Sequence, residues 1–145
     1  MRISASVTVD RCTAAVFDFL TTWEKLPLWE TGVLEAARSS PGPPGVGERG
    51  RDVRRYFGRT FETEYEVTEY DSPRATAVHS VNGALPPVRA TYTLTPVSGG
   101  TRLESVANFD VHGPMRLLVP LLGPMFQYQH ARDLRRLKEL LESSG

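Results

Sequence analysis

From Leu122 onward the chain places Leu122, Phe126, His130, Leu134, Leu137 and Leu141 at steps of four and three, which is one face of an α-helix. Every position but one is apolar. An imidazole in such a stripe has two readings. It is either a core histidine whose ring nitrogens are satisfied by neighbours, or a proton donor and acceptor facing a hollow. Asp133 lies three residues further on, on a nearby helical row, where it can orient one ring nitrogen. On a cavity wall His130 would act as general acid or base toward an enolisable or hydroxylated substrate, an effect typically worth about a hundred- to ten-thousand-fold in rate. Apolar surroundings lower its pKa, and a close carboxylate opposes that shift.

A second group of polar residues sits on strand phases otherwise given to carbon. By alternation Thr63, Tyr65, His79, Tyr92 and Ser105 fall on the faces that carry Phe61, Val67, Leu94, Ala107 and Phe109. Each alone fits core packing. As a set they exceed what a solid core accepts, because every unpaired buried polar group costs about 1–3 kcal/mol. A partly polar pocket accounts for them together. The expected ligand wall is then Phe61, Leu94, Ala107, Phe109 and Phe126, with Tyr65, His79, Tyr92 and His130 as its polar members. His130 and Tyr92 are the expected catalytic pair, one moving protons and the other polarising a carbonyl.

Other chemistry finds no support. "GVGERG", Gly45 to Gly50, has the spaced glycines of a dinucleotide loop, but a proline-rich loop precedes it and a basic strand follows, so no helix N-terminus receives a pyrophosphate. No nucleophile elbow, zinc-helix motif or P-loop occurs. His79, His112 and His130 have no metal-ligand spacing, and neither a metal nor a cofactor is expected.

The elements that must hold these residues are legible by period. Ile3, Ala5, Val7 and Val9 alternate with Ser4, Ser6 and Thr8, a strand. Asp10 or Thr13 can cap the helix "TAAVFDFL". "TTWEKLPLWETGV" reads as a second short helix interrupted by Pro27 and closed by Gly32. "RSSPGPPGVGERG" is loop. From Arg51 to Val111 come strands separated by short turns, an antiparallel meander with one wet and one dry face. The last element runs from about Met115 to Glu142, with a kink or break expected at Pro120 and Pro124. Only that helix is long enough to cover the dry face. The fold class is therefore α+β: a curved antiparallel sheet of six or seven strands around a long C-terminal helix, in one domain spanning 1–145.

Composition sets the remaining limits. At 145 residues one ordinary domain is expected, able to bury a core and a cavity. With 17 basic and 17 acidic side chains the net charge is zero, so the basic excess typical of nucleic-acid binders is lacking. Arg49, Arg51, Arg54, Arg55 and Arg59 cluster, but Glu62, Glu64, Glu66 and Glu69 follow, which fits two strands paired through surface charges. The same arginines are the place where an acidic carrier protein would dock. No apolar run approaches the roughly 18 residues of a membrane crossing. The opening "MRISASVTVD" is not a secretory leader, and the single Cys12 allows no internal disulfide, so a cytoplasmic location is expected.

Taken in order, "VFDFLTTWEKLPLWETGV", "VGERGR", "YFGRTFETEYEVTEYDSPR", "GGTRLESVANF" and "LRRLKELLE" resemble the helix-grip superfamily over nearly the whole chain. That superfamily holds the START lipid-transfer domains, the birch-pollen-allergen-like proteins and the polyketide cyclase/dehydrase family, and the chain is most similar to short bacterial members of the last. The resemblance implies a deep, mostly apolar cavity between sheet and helix that takes a hydrophobic small molecule. Members either carry the ligand or cyclise or dehydrate it, and they share no catalytic motif. Trp23 and Trp29 flank the second short helix, where either can be a hydrophobic plug anchoring it against the sheet edge. The resemblance places this region at the cavity mouth, so Trp29 is equally a gate or a stacking surface for a flat ligand, while Trp23 fits the plug.

Overall fold

The computed structural model describes residues 1–143. Seven strands form one antiparallel sheet in the order β1-β7-β6-β5-β4-β3-β2. They span β1 Arg2–Val9, β2 Val33–Arg38, β3 Arg49–Tyr56, β4 Arg59–Asp71, β5 Ala75–Gly83, β6 Val88–Val97 and β7 Gly100–Phe109. The helices are α1 Thr13–Thr21, α2 Leu26–Trp29 and α3 Val119–Ser143. This is the helix-grip architecture: a curled half-barrel closed by a long C-terminal helix.

The short elements differ from expectation in informative ways. α1 buries Val16, Phe17 and Leu20 as its period requires, but Cys12 is its N-cap and makes no side-chain cap bond. Thr13 Oγ1 bonds Thr101 Oγ1 at 3.2 Å instead, and the Asp10 backbone N–H donates to Glu142. Pro27 begins α2 rather than interrupting it, since the missing N–H has no helical partner in the first turn. A 3-10 turn, Trp23–Lys25, precedes it. Gly32 at φ 88° then turns the chain into β2, a strand that the sequence period did not announce.

Before α3 the chain makes a 3-10 segment, Gly113–Leu118, and the α-helix starts at Val119. Pro120 falls in its first turn, while Pro124 sits inside a helix that continues to Ser143. At 25 residues α3 is about 37 Å long, enough to cross the whole sheet. It lies along the edge strand β1. Ser4 N–H donates to Gln127 Oε1 at 3.1 Å, Gln127 Nε2 donates back to the Ser4 carbonyl, and Lys138 Nζ donates to the Thr8 carbonyl at 2.8 Å.

The core occupies one end of the space between helix and sheet. Leu134, Leu137 and Leu141 of α3 meet Val9, Leu94 and Leu103 of the sheet and Val16, Phe17 and Leu20 of α1. Toward the other end the space between α3 and the inner face of the sheet is hollow.

Candidate functional site

The hollow has a volume of about 340 Å³ and lies between α3 and the inner faces of β3, β4, β5, β6 and β7. That is the lower part of the range for small-molecule sites. Its lining is mostly apolar and reaches the surface at Phe57 and Met115.

Most of the predicted wall is present. Trp29, Phe61, Tyr65, Tyr92, Ala107, Phe109, Phe126 and His130 all line the cavity. Two residues do not. Leu94 is on the inner face, but at the filled end, where it packs against Leu103 and α3. His79 is on the outer face. Both faces of β5 carry small apolar residues, so alternation alone leaves its phase open. Pairing with β4, across a register shift between Val67 and Glu69, turns Thr76 and Val78 inward and sets His79 beside Glu66 and Arg89. Trp29 is buried to 2% exposure and belongs to the core cluster, so it is wall and not gate. Its Nε1 has no hydrogen-bond partner among the described residues. Trp23 is the plug: it packs on Tyr65 and Val67, and its indole N–H donates to Glu48 at 3.1 Å.

His130 projects from α3 into the cavity, and its Nε2 lies 2.9 Å from Ser105 Oγ on β7. Burial lowers its pKa, opposed by the Glu30 charge, so the ring is neutral at pH 7. Ser105 stands opposite Tyr92 in the β6–β7 register, which groups imidazole, hydroxyl and phenol. Burial raises the Tyr92 pKa, and the Glu30 charge adds to it. That phenol stays protonated and can donate to a carbonyl.

Asp133 does not orient His130. Its carboxylate accepts from the Thr31 backbone N–H at 3.1 Å and from the Thr31 hydroxyl, which pins α3 to the turn after α2. Burial raises its pKa against those two bonds.

Sequence alone groups Arg54 with the surface charges of two paired strands. The structure turns it inward. Asp52, Arg54 and Tyr56 share the inner face of β3, and all three line the cavity. Arg54 pairs with Asp52 Oδ2 at 2.8 Å and with Glu30 Oε1 at 2.7 Å, and donates to Tyr56 Oη at 3.2 Å. A continuous polar seam thus runs from α3 through Asp133, Thr31, Glu30 and Arg54 to Asp52. The signal was the two-residue turn at Phe57-Gly58, which opposes Tyr56 to Arg59 and therefore Arg54 to Phe61. Residues opposed in an antiparallel pair share a face, so an inward Phe61 requires an inward Arg54. Arg49 and Arg51 do pair on the outside, with Glu66, Glu35 and Glu62, while Arg55 and Arg59 are exposed beside Phe57. The five arginines are therefore not one docking patch.

Curled sheet, spanning helix and semi-polar hollow define a START-like helix-grip protein. The chain belongs to the family described as polyketide cyclase / dehydrase and lipid transport, which matches residues 1–142. Solved structures agree on the fold. A Thermus thermophilus protein, 19% identical, superposes with a TM-score of 0.84 over 100% of this chain and 99% of its own. A Nitrosomonas europaea protein, 20% identical, gives 0.78 over 99% and 96%. A START superfamily protein from Mycobacterium smegmatis, 19% identical, gives 0.71 over 99% and 95%. Among curated proteins none matches the chain by sequence. No helix among the described residues is long and apolar enough to cross a membrane.

Proposed function

We propose that the protein binds a hydrophobic, ring-containing metabolite of the polyketide type in this cavity and promotes its cyclisation or dehydration. The observation that carries the reading is His130: a neutral imidazole, held by Ser105, on an otherwise apolar helix face that lines the hollow. Confinement folds a flexible chain so that its reacting carbons meet. Neutral His130 takes a proton from a carbon next to a carbonyl, and Tyr92 donates a hydrogen bond to the oxygen that gains charge. The enolate carbon attacks a second carbonyl of the same chain, and the imidazolium gives its proton to the alkoxide that forms. For dehydration His130 then takes the remaining proton from that carbon and delivers it to the departing hydroxyl, so that a carbon–carbon double bond forms and water leaves.

The second reading is a carrier that uses the same cavity without chemistry; the largely apolar lining favours it equally. Native mass spectrometry of protein isolated from its own host, searching for a bound metabolite, supplies the ligand. With that ligand, His130→Ala should retain binding and lose conversion. Unchanged conversion in the variant removes His130 from the mechanism, and a ligand released unaltered by the wild-type protein leaves the carrier.

A further inference from the structure

Two oxygens on the cavity wall have no hydrogen-bond partner among the described residues. Asp52 is 0% exposed, and its Oδ1 has no hydrogen bond, although Oδ2 is held by Arg54. Thr63 is 3% exposed, and its Oγ1 likewise has no partner. The Tyr65 phenol approaches the Asp52 carboxylate as a hydrogen-bond donor and feels its charge, but no bond of normal geometry reaches Oδ1. Buried polar atoms are nearly always satisfied, and an orphaned acceptor is costly.

The two orphans are neighbours. Asp52 and Thr63 stand opposite each other in the β3–β4 register, and both line the hollow. Side chains so opposed have Cβ atoms about 4.5–5.5 Å apart, near enough for one group to reach both. The group has to donate to a carboxylate and accept from a hydroxyl. A ligand hydroxyl does both; an ether or carbonyl oxygen donates nothing.

Charge sharpens the choice. Arg54 is already committed to Asp52, Glu30 and Tyr56, so this wall sets one cation against two carboxylates. A ligand carboxylate placed here meets repulsion with no free cation to receive it.

We infer that the ligand presents a hydroxyl to the Asp52–Thr63 pair and that this wall of the cavity repels a ligand carboxylate. The inference rests on the binding reading above and adds the polarity of what is bound. Three matched probes test it by titration calorimetry at pH 7.5: 2-naphthol, its methyl ether and 2-naphthoic acid. The naphthol should bind about tenfold to a hundredfold tighter than the ether, the usual worth of a hydrogen bond to a charged group. The naphthoate should bind weakest. Thr63→Val, which keeps the side-chain shape, should weaken naphthol alone, and Asp52→Asn should narrow the gap between naphthol and naphthoate. Naphthol and ether within twofold of each other, naphthoate bound best, or a Thr63→Val variant that keeps the preference each overturns the inference while leaving cavity binding intact. If none of the three binds, the cavity reading falls with it.

Discussion

Arg54→Met removes the one cation of the Glu30–Arg54–Asp52 cluster and replaces it with a side chain of similar length. Asp52 then keeps its burial and loses its counter-charge. Breaking a buried pair from one side costs about 3–5 kcal/mol, because the remaining charge cannot return to water. Asp52, with a fully buried side chain, sets this figure; Glu30, at 20% exposure, is partly screened and adds less. In a chain of this length each kcal/mol moves Tm by about 2–4 °C, so a drop of about 6–20 °C is expected at pH 7.5. Thermal and urea unfolding followed by the fluorescence of the buried Trp23 and Trp29 would read it. The pH dependence follows from sign. Burial already raises the Asp52 pKa above 3.8 while Arg54 holds it down, so without Arg54 it rises further. The folded variant then binds a proton that unfolded Asp52 does not, and its deficit should narrow as the pH falls from 7.5 toward 5. In an Asp52→Asn background the same substitution should cost clearly less. A loss below about 1 kcal/mol at pH 7.5, the worth of an exposed pair, would refute the reasoning. So would a loss that Asp52→Asn does not reduce.

Three further outcomes are expected. Gly50→Ala would set a methyl 2.5 Å from the Trp23 ring, so overpacking should cost about 1–3 kcal/mol and shift the urea midpoint; a neutral result means that the Trp23 ring is free to move aside. Leu137→Ala empties a fully buried position of the filled end and should cost about 2–5 kcal/mol in the same assay, with little change in probe binding at the hollow end. His130 has its pKa lowered from 6.5 by burial, so its contribution to stability is complete above that value and is lost as the pH falls from it toward the folded pKa. The raised carboxyls Asp52 and Asp133 push the other way but are common to both proteins. Between pH 7.5 and 5, His130→Gln should therefore lose less stability than the wild type; parallel curves would mean that the imidazole is not buried.

The fold was legible because most of its elements bury one face. Alternation located β1, the meander and their inner residues, and the stripe through Phe126 and Leu137 located α3. The site was half legible. Aromatic and hydroxyl residues among carbon gave Tyr65, Tyr92, Thr63 and Ser105, and a polar break in an oily stripe gave His130. Charged residues were harder, since "GRDVRRY" reads as surface in isolation. Only the register across Phe57-Gly58 shows that Asp52 and Arg54 face inward. β5 failed for the complementary reason: with small residues on both faces, a register shift in the neighbouring strand decides where His79 points. Helical period puts Asp133 beside His130, because periodicity places residues only relative to others on the same helix. It carries nothing about Thr31, which arrives from a separate turn.

An open sheet has two outer strands whose free backbone groups invite pairing with another chain. Here they are β1 and β2. On β1, Gln127 occupies both backbone groups of Ser4 and Lys138 takes the carbonyl of Thr8; on β2, the Arg38 backbone N–H is held by Glu24 at 3.1 Å. The helix that roofs the cavity thus also blocks strand-to-strand growth into fibres, so a chain shortened before Gln127 would become prone to aggregation as well as losing its roof.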